Sequence, residues 1–469
     1  MKKIICLVLI LSIMASLLSC NIVTPDVNDG NSTASNNTIN GEKLDSYSIV
    51  YSDEDLDYSK RAAEYIQSEI LARTEIKLPI VEDSLESVSE NEIVVGNTER
   101  AISEKLNAET KGLQFAILAD GSDIALEGDY FIIAAAAYFF IETYIPEADF
   151  EATVPEVVSI HSPIVKEAKN FILLIGDGMG INHTRAFEYL ENNVEYSDGE
   201  DIFYGYYLPY QGYSRTNSLS GVTDSAAGGT ALSCGQKTYN SYIGRDKNKN
   251  DIKSLTELAY ELNMAAGVMS TEVQTGATPA SFSAHAEDRG ESAEIYLSQM
   301  NSVNAYGTII DCGFDRYDKR SIDKIVEKHI TDTLTKLDAN ENGFFLMYEE
   351  AHIDKHSHNN ELDNMYLAIV RFNQAIGRFM EYAFYNPDTF VLITADHETG
   401  DLYPNSEGML EYHYDNHTGK NVPVFAYGMG AELFDGKTVE NIQIPQTIAY
   451  LMGGVEDFGD QSNYQHLGK

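Results

Sequence analysis

Along the chain, apolar positions first run unbroken, then vanish, then return with two different periods. Lys2 and Lys3 precede an apolar run from Ile4 to Leu18. A short positive start followed by about 15 apolar residues predicts a secretion signal over 1–19 rather than a membrane span. Residues 20–43 are rich in Asn, Ser, Thr, Asp and Gly. They carry no apolar periodicity and predict a flexible tether with an r.m.s. reach of ~25 Å.

Residues 44–162 predict a small α/β accessory domain. Ser46 to Tyr51 alternates like a strand, and Ala62, Ile66 and Ile70 recur at helical spacing between Tyr58 and Thr74. Glu92 to Val95, Leu113 to Leu118 and Ile124 to Leu126 read as further strands, the last two joined by the turn signal Asp120-Gly121. Phe131 to Ile141 is apolar throughout but short, which predicts a buried helix rather than a membrane segment. This region holds no cluster of His, Cys and carboxylates of catalytic type. It reads as a packing or surface-binding module, with cell-envelope components or carbohydrate as candidate contacts.

Residues 163–469 behave differently. Apolar runs at 171–175, 266–270, 344–348, 389–394 and 422–426 alternate with helical stretches such as Met365 to Tyr385 and Ile444 to Met452. Strands buried on both faces read as continuous apolar runs, so this alternation predicts a doubly wound α/β domain with a mostly parallel sheet. Ligands in such sheets gather beyond the C-terminal ends of the strands. The notable polar residues sit next to the ends of these runs.

Composition narrows the chemistry. Lys plus Arg is 32 and Asp plus Glu is 73, a formal net charge of −41. That charge repels phosphate backbones and argues against nucleic-acid binding through a basic face. It suits a soluble acidic protein, or one whose carboxylates hold cations. All 11 histidines lie at or after His161, so histidine chemistry belongs to the later part of the chain. Cys20, directly after Leu17-Leu18-Ser19, resembles the acylated cysteine of a bacterial lipobox. The expectation is a lipid anchor on the extracytoplasmic face of the cell envelope. Cys234 and Cys312 would then remain, either as one disulfide or as two thiols.

Five segments carry candidate chemistry. Asp177 follows the first strand between two glycines, as a metal ligand or as part of a turn. Ser225, in Thr223-Asp-Ser-Ala-Ala-Gly-Gly-Thr-Ala231, falls near a helix start, where free N–H groups favour an anion. It reads as an N-cap or, if a base or metal lowers its pKa, as a nucleophile. In Glu349-Glu-Ala-His-Ile-Asp-Lys-His-Ser-His358, Asp354 and His358 stand four apart and can share a metal, with Glu349 at the strand exit. Asp396 and His397 follow another strand, and His417 precedes the last apolar run. Asp/His sets suit zinc and all-oxygen sets suit magnesium, so a multinuclear metal site is expected.

In this order, the five segments resemble the alkaline phosphatase family, together with Gln274-Thr-Gly-Ala-Thr-Pro-Ala280 and His285-Ala-Glu-Asp-Arg289. The resemblance implies a phosphomonoesterase with two zinc ions and one magnesium. It implies that Ser225 becomes phosphoserine and that Asp354, His358 and His417 hold the first zinc. Asp177, Asp396 and His397 would hold the second, with Asp177 bridging to magnesium beside Thr278 and Glu349. Arg289 would grip two phosphate oxygens, Asp224 would orient it, and Lys355 would reach phosphate through water. Gly276 departs from the pattern, standing where many members carry Asp or His near the magnesium. His352, His356 and His413 match no ligand of the family. The alternative is a phosphodiesterase or another phospho- or sulfo-hydrolase of the same superfamily. Glu349 and Arg289 favour small phosphate monoesters, and the residues after Ser225 lack the Pro and Arg of a sulfatase motif.

Overall fold

The computed structural model describes residues 37–53, 57–84, 90–147, 149–187, 202–314 and 322–469. The expected signal, Cys20 and the first part of the tether lie outside them. The chain divides into two compact units, one reaching to Thr110 and resuming over Gln114–Pro163, the other comprising Lys111–Leu113 and Ile164–Lys469.

The first unit builds a six-stranded sheet from β1 (Tyr47–Tyr51), β2 (Ile80–Glu82), β3 (Asn91–Val95), β4 (Phe115–Asp120), β5 (Asp123–Glu127) and β6 (Ser159–His161). Their order is β2-β1-β3-β5-β4-β6. The first four in that order are parallel, and β4 and β6 are joined antiparallel. Helices α1 (Tyr58–Thr74), α2 (Ala101–Leu106) and α3 (Ile133–Tyr144) accompany the sheet. The alanine-rich helix α3 is buried from Ile133 to Tyr138 and again at Phe140 and Ile141, with its last turn more exposed. Among the described residues no helix is long and apolar enough to cross a membrane.

The second unit carries an eight-stranded sheet. Its strands are β7 (Asn170–Gly176), β8 (Tyr210–Arg215), β9 (Ala265–Ser270), β10 (Ile309–Cys312), β11 (Phe344–Glu350), β12 (Thr389–Thr394), β13 (Val422–Tyr427) and β14 (Thr438–Glu440). They lie in the order β10-β9-β11-β7-β12-β13-β8-β14. Strand β13 runs antiparallel to both neighbours, and every other pairing is parallel. Every residue of β7, β11, β12 and β13 is buried, the property that makes them legible as apolar runs.

Helices named for the site are α4 (Ser225–Cys234), α5 (Leu255–Glu261), α6 (Ala277–Ser281), α7 (Ser292–Tyr306), α8 (Ile322–Leu337), α9 (His352–His358), α10 (Leu362–Tyr385) and α11 (Gln443–Gly453). Alternate side chains of β7 point to opposite faces. Phe171, Leu173 and Ile175 join a core with Phe345, Phe390, Leu258 and Ile444. On the other face Tyr348, level with Leu174, packs against Phe372 and Phe379 of α10. Helices therefore cover both faces of the sheet.

Register fixes what meets at the sheet edge. Ile175 is level with Glu349 and Thr394, and Ser270 is level with Glu349. The chain thus leaves β7, β9, β11 and β12 at one level, where Asp177, Glu349 and Asp396 follow or close their strands.

Candidate metal and phosphoryl-transfer site

The turn after β7 brings Asp177 to the edge. Gly178 there has φ +72, and a Cβ on it would lie 2.8 Å from both Asp354 Cβ and Thr399 Oγ1. Only glycine allows this approach. Main-chain bonds from Asp177 N to Glu350 O (3.0 Å) and from Thr399 N to Gly178 O (3.0 Å) lace the turn to neighbouring strand ends.

Two groups of three ligand-type side chains converge. One comprises Asp354, His358 and His417, the other Asp177, Asp396 and His397, and within each the ligand atoms lie inside 4.8 Å of one another. His417 arrives by a route different from the others. It precedes its strand, and because β13 is antiparallel, the start of β13 lies at the edge where the parallel strands end. A short pairing that sets Thr399 opposite His417 completes its placement. The rings of His397 and His417 stack with centroids 3.6 Å apart.

The histidines are fixed from behind. His358 Nδ1 lies 2.7 Å from Asp415 O, and His417 Nδ1 lies 2.8 Å from Thr223 O. A carbonyl only accepts, so each Nδ1 donates to it and each ring turns its Nε2 toward the other residues of the group. Those two Nε2 atoms face each other at 3.0 Å. That approach needs a proton or a metal cation between the two nitrogens, and a pair of imidazoles beside the Asp354 carboxylate is a donor set that a zinc ion takes. Thr399 Oγ1 links the two groups, donating to Asp354 Oδ1 of the first at 2.5 Å and standing 3.2 Å from His397 Nδ1 of the second.

The carboxylates make the same case. Asp177 Oδ1, Asp396 Oδ2 and Glu349 Oε1 are buried without a hydrogen-bond partner. Burial, then the fields of Asp396, Asp354 and Glu349, push the Asp177 carboxyl far above the usual range. Burial and then Asp354 raise Asp396 to about 7. Burial holds His397 well below its ordinary value, with His417 and Arg289 adding to the effect. A divalent cation would relieve all of these costs together. Glu349 lies against the fully buried Thr278 of α6, and its other oxygen accepts from Ser270 Oγ. With Asp177 these groups form an oxygen-donor set suited to magnesium.

Ser225 opens helix α4, and its Oγ stands 3.2 Å from His397 Nε2. Asp224 is the N-cap, taking Ala227 N at 2.9 Å on Oδ1. Its Oδ2 takes Ser241 N at 2.9 Å and faces Arg289 Nη1 at 3.4 Å. Arg289 is exposed, and its charge reaches both His397 and His417. Lys355 pairs with Glu272 Oε2 at 2.7 Å.

The remaining histidines of the third segment point elsewhere: His352 to Thr271 and Glu350, His356 to Glu361, with His413 exposed. Cys234 and Cys312 are free thiols. Sequence reasoning singled out neither Thr399 nor Glu272. The signal for Thr399 is its place two residues after His397.

Comparison with known proteins agrees with this geometry. The family model for alkaline phosphatase matches residues 168–312 and 313–406. Alkaline phosphatase 3 of Bacillus subtilis is 30% identical over 326 residues, spanning 58% of this chain and 70% of that protein. The solved alkaline phosphatase of the Antarctic bacterium TAB5 is 28% identical, with a TM-score of 0.53 over 62% of this chain and 100% of its own. A variant of that enzyme with magnesium bound in a site designated M3 matches with TM-score 0.52 at 28% identity, over 61% of this chain and 99% of its own.

Proposed function

Because the chain belongs to the alkaline phosphatase family, whose members are metal-dependent phosphatases, we propose that it hydrolyses small phosphate monoesters through a phosphoserine on Ser225. The observation that carries this reading is the placement of one hydroxyl, Ser225, at the head of α4. It touches His397 of one ligand group and follows Asp224, the partner of Arg289.

In this reading Asp354, His358 and His417 hold one zinc, Asp177, Asp396 and His397 a second, and Asp177, Thr278 and Glu349 a magnesium. When bound, such ions neutralise phosphate charge, lower the pKa of a hydroxyl or water and hold the leaving oxygen. The chain's own groups do the positioning. Free N–H groups at the start of α4 and the Arg289 fork receive the phosphate oxygens. Ser225 Oγ attacks phosphorus in line, its P–O bond forming as the bond to the alcohol oxygen breaks, and the alcohol leaves with a proton. Water then attacks the phosphoserine, the Ser225 P–O bond breaks, and inorganic phosphate departs. Asp224 keeps Arg289 in place through both steps.

The address belongs to the proposal too. The Leu17-Leu18-Ser19-Cys20 pattern supports a lipid anchor at the cell envelope, with the first unit available for surface contacts.

Side-by-side turnover of p-nitrophenyl phosphate and bis(p-nitrophenyl) phosphate tests the reaction class. Monoester kcat/KM should be much the larger, and a diester rate equal to it would reject the monoesterase reading.

A further inference from the structure

Gly276 has no side chain to offer the third cation position, yet the space beside it is filled. A Cβ built on Gly276 would lie 1.9 Å from Glu272 Oε1 and 2.2 Å from its Cδ. The Glu272 carboxylate therefore occupies the volume that any side chain at 276 would claim. The backbone is no obstacle to such a side chain, since Gly276 has φ −58.

Two contacts hold Glu272 there. Its amide donates to Ser270 Oγ at 3.0 Å, and that hydroxyl donates to Glu349 Oε2. Its Oε2 accepts from Lys355 Nζ at 2.7 Å. Close by, Glu349 Oε1 is fully buried without a hydrogen-bond partner. The carboxylates of Asp177, Glu349 and Glu272 lie within electrostatic reach of one another and of a single ammonium, Lys355. Three acidic groups against one base leave net negative charge for a cation to meet.

We propose that Glu272 is a positioning residue for the third cation. From the turn between β9 and α6 it supplies the negative charge that position 276 lacks, and Lys355 steadies it. An oxygen-preferring divalent ion such as magnesium fits this set. The inference rests on the third-cation reading given above.

The test uses the full-length zinc-loaded protein, dialysed free of magnesium and titrated with magnesium chloride by calorimetry, with metal content measured by mass spectrometry. Wild type should bind one magnesium; failure to do so would refute the third-cation reading itself. Given that binding, E272Q should keep its zinc and bind magnesium about 10-fold or more weakly, as when a supporting group of a metal site is lost. The double variant E272A/G276D should recover affinity, because the vacated volume accepts a carboxylate from 276. K355A should keep its magnesium, since the carboxylate remains. Wild-type affinity in E272Q, equal losses in E272Q and K355A, or no recovery in the double variant would overturn the proposal.

Discussion

Asp224 faces Arg289 across 3.4 Å, and the same carboxylate caps the helix that begins with Ser225. One side chain thus ties the position of the guanidinium to that of the nucleophile candidate. Main chain reinforces the link, with Arg289 N donating to Ser241 O at 2.8 Å and Ser241 N donating back to Asp224 Oδ2.

Replacing Arg289 should separate monoesters from diesters. A monoester offers two free oxygens to the guanidinium fork, while a diester carries less charge and a substituent on one of them. R289A should lower monoester kcat/KM by several-fold to hundreds-fold, about 1–3 kcal/mol for a charged hydrogen-bonded contact. Diester turnover should barely change. Losses of the same size on both substrates would remove Arg289 from phosphate recognition.

The link to Asp224 predicts non-additivity. D224A should cost about 1 kcal/mol of stability through the lost cap, seen as a lower melting temperature. It should also weaken monoester turnover, but in the R289A background that second loss should disappear, because the group Asp224 positions is gone. Additive losses in kcat/KM would show that Asp224 acts on catalysis without Arg289.

S225A should abolish the covalent intermediate and reduce kcat by orders of magnitude, with slow hydrolysis surviving because phosphate still meets Arg289 and the cation sites. Acid-quenched wild type should carry one phosphate on the peptide containing Ser225. Phosphate found on a different peptide would reassign the nucleophile.

Chelation should destabilise the fold as well as silence it. Removing cations leaves the facing Nε2 atoms of His358 and His417 and the buried carboxylates Asp177 and Asp396 uncompensated. Ions that bind only the folded state contribute about 2.7 kcal/mol at a hundredfold excess over Kd. EDTA treatment should therefore lower the melting temperature, and zinc should restore it together with activity. An unchanged melting temperature after verified metal loss would count against cations at these groups.

A second pair controls stability through pH. His285 Nε2 lies 3.3 Å from Glu257 Oε1. Burial opposes the His285 charge, but the Glu257 carboxylate outweighs it and raises the histidine; Glu257 is correspondingly lowered. A raised histidine stabilises the fold fully below its unfolded pKa of ~6.5, and the effect fades as pH rises through the folded value. E257Q should therefore cost more stability at pH 6 than at pH 8, by about 1 kcal/mol for a charge-assisted hydrogen bond. Equal costs at both pH values would show that His285 is not charged in the fold.

Much of the second unit was legible because its central strands are buried on both faces and so appear as bare apolar runs. Asp177, Glu349, Asp396 and His397 could be placed at the sheet edge from those runs alone. Strands β8, β10 and β14 escaped: β8 carries Tyr-Gln-Gly-Tyr-Ser-Arg with alternating exposure, β10 is only half-buried, and β14 has three residues. Short, partly polar strands owe their existence to the neighbours they pair with.

Sequence by itself determined the candidate ligand residues, their order along the chain and the parallel architecture, because each is written in local spacing and in hydrophobic runs. Tertiary structure alone decided three other things. Reversal of β13 brings His417, which precedes its strand, to the edge where the other candidate ligands follow theirs. Thr399 acquires its role only where the turn after β7 packs against Asp354. The volume over Gly276 belongs to Glu272, a fact of packing between residues four apart that neither periodicity nor composition encodes.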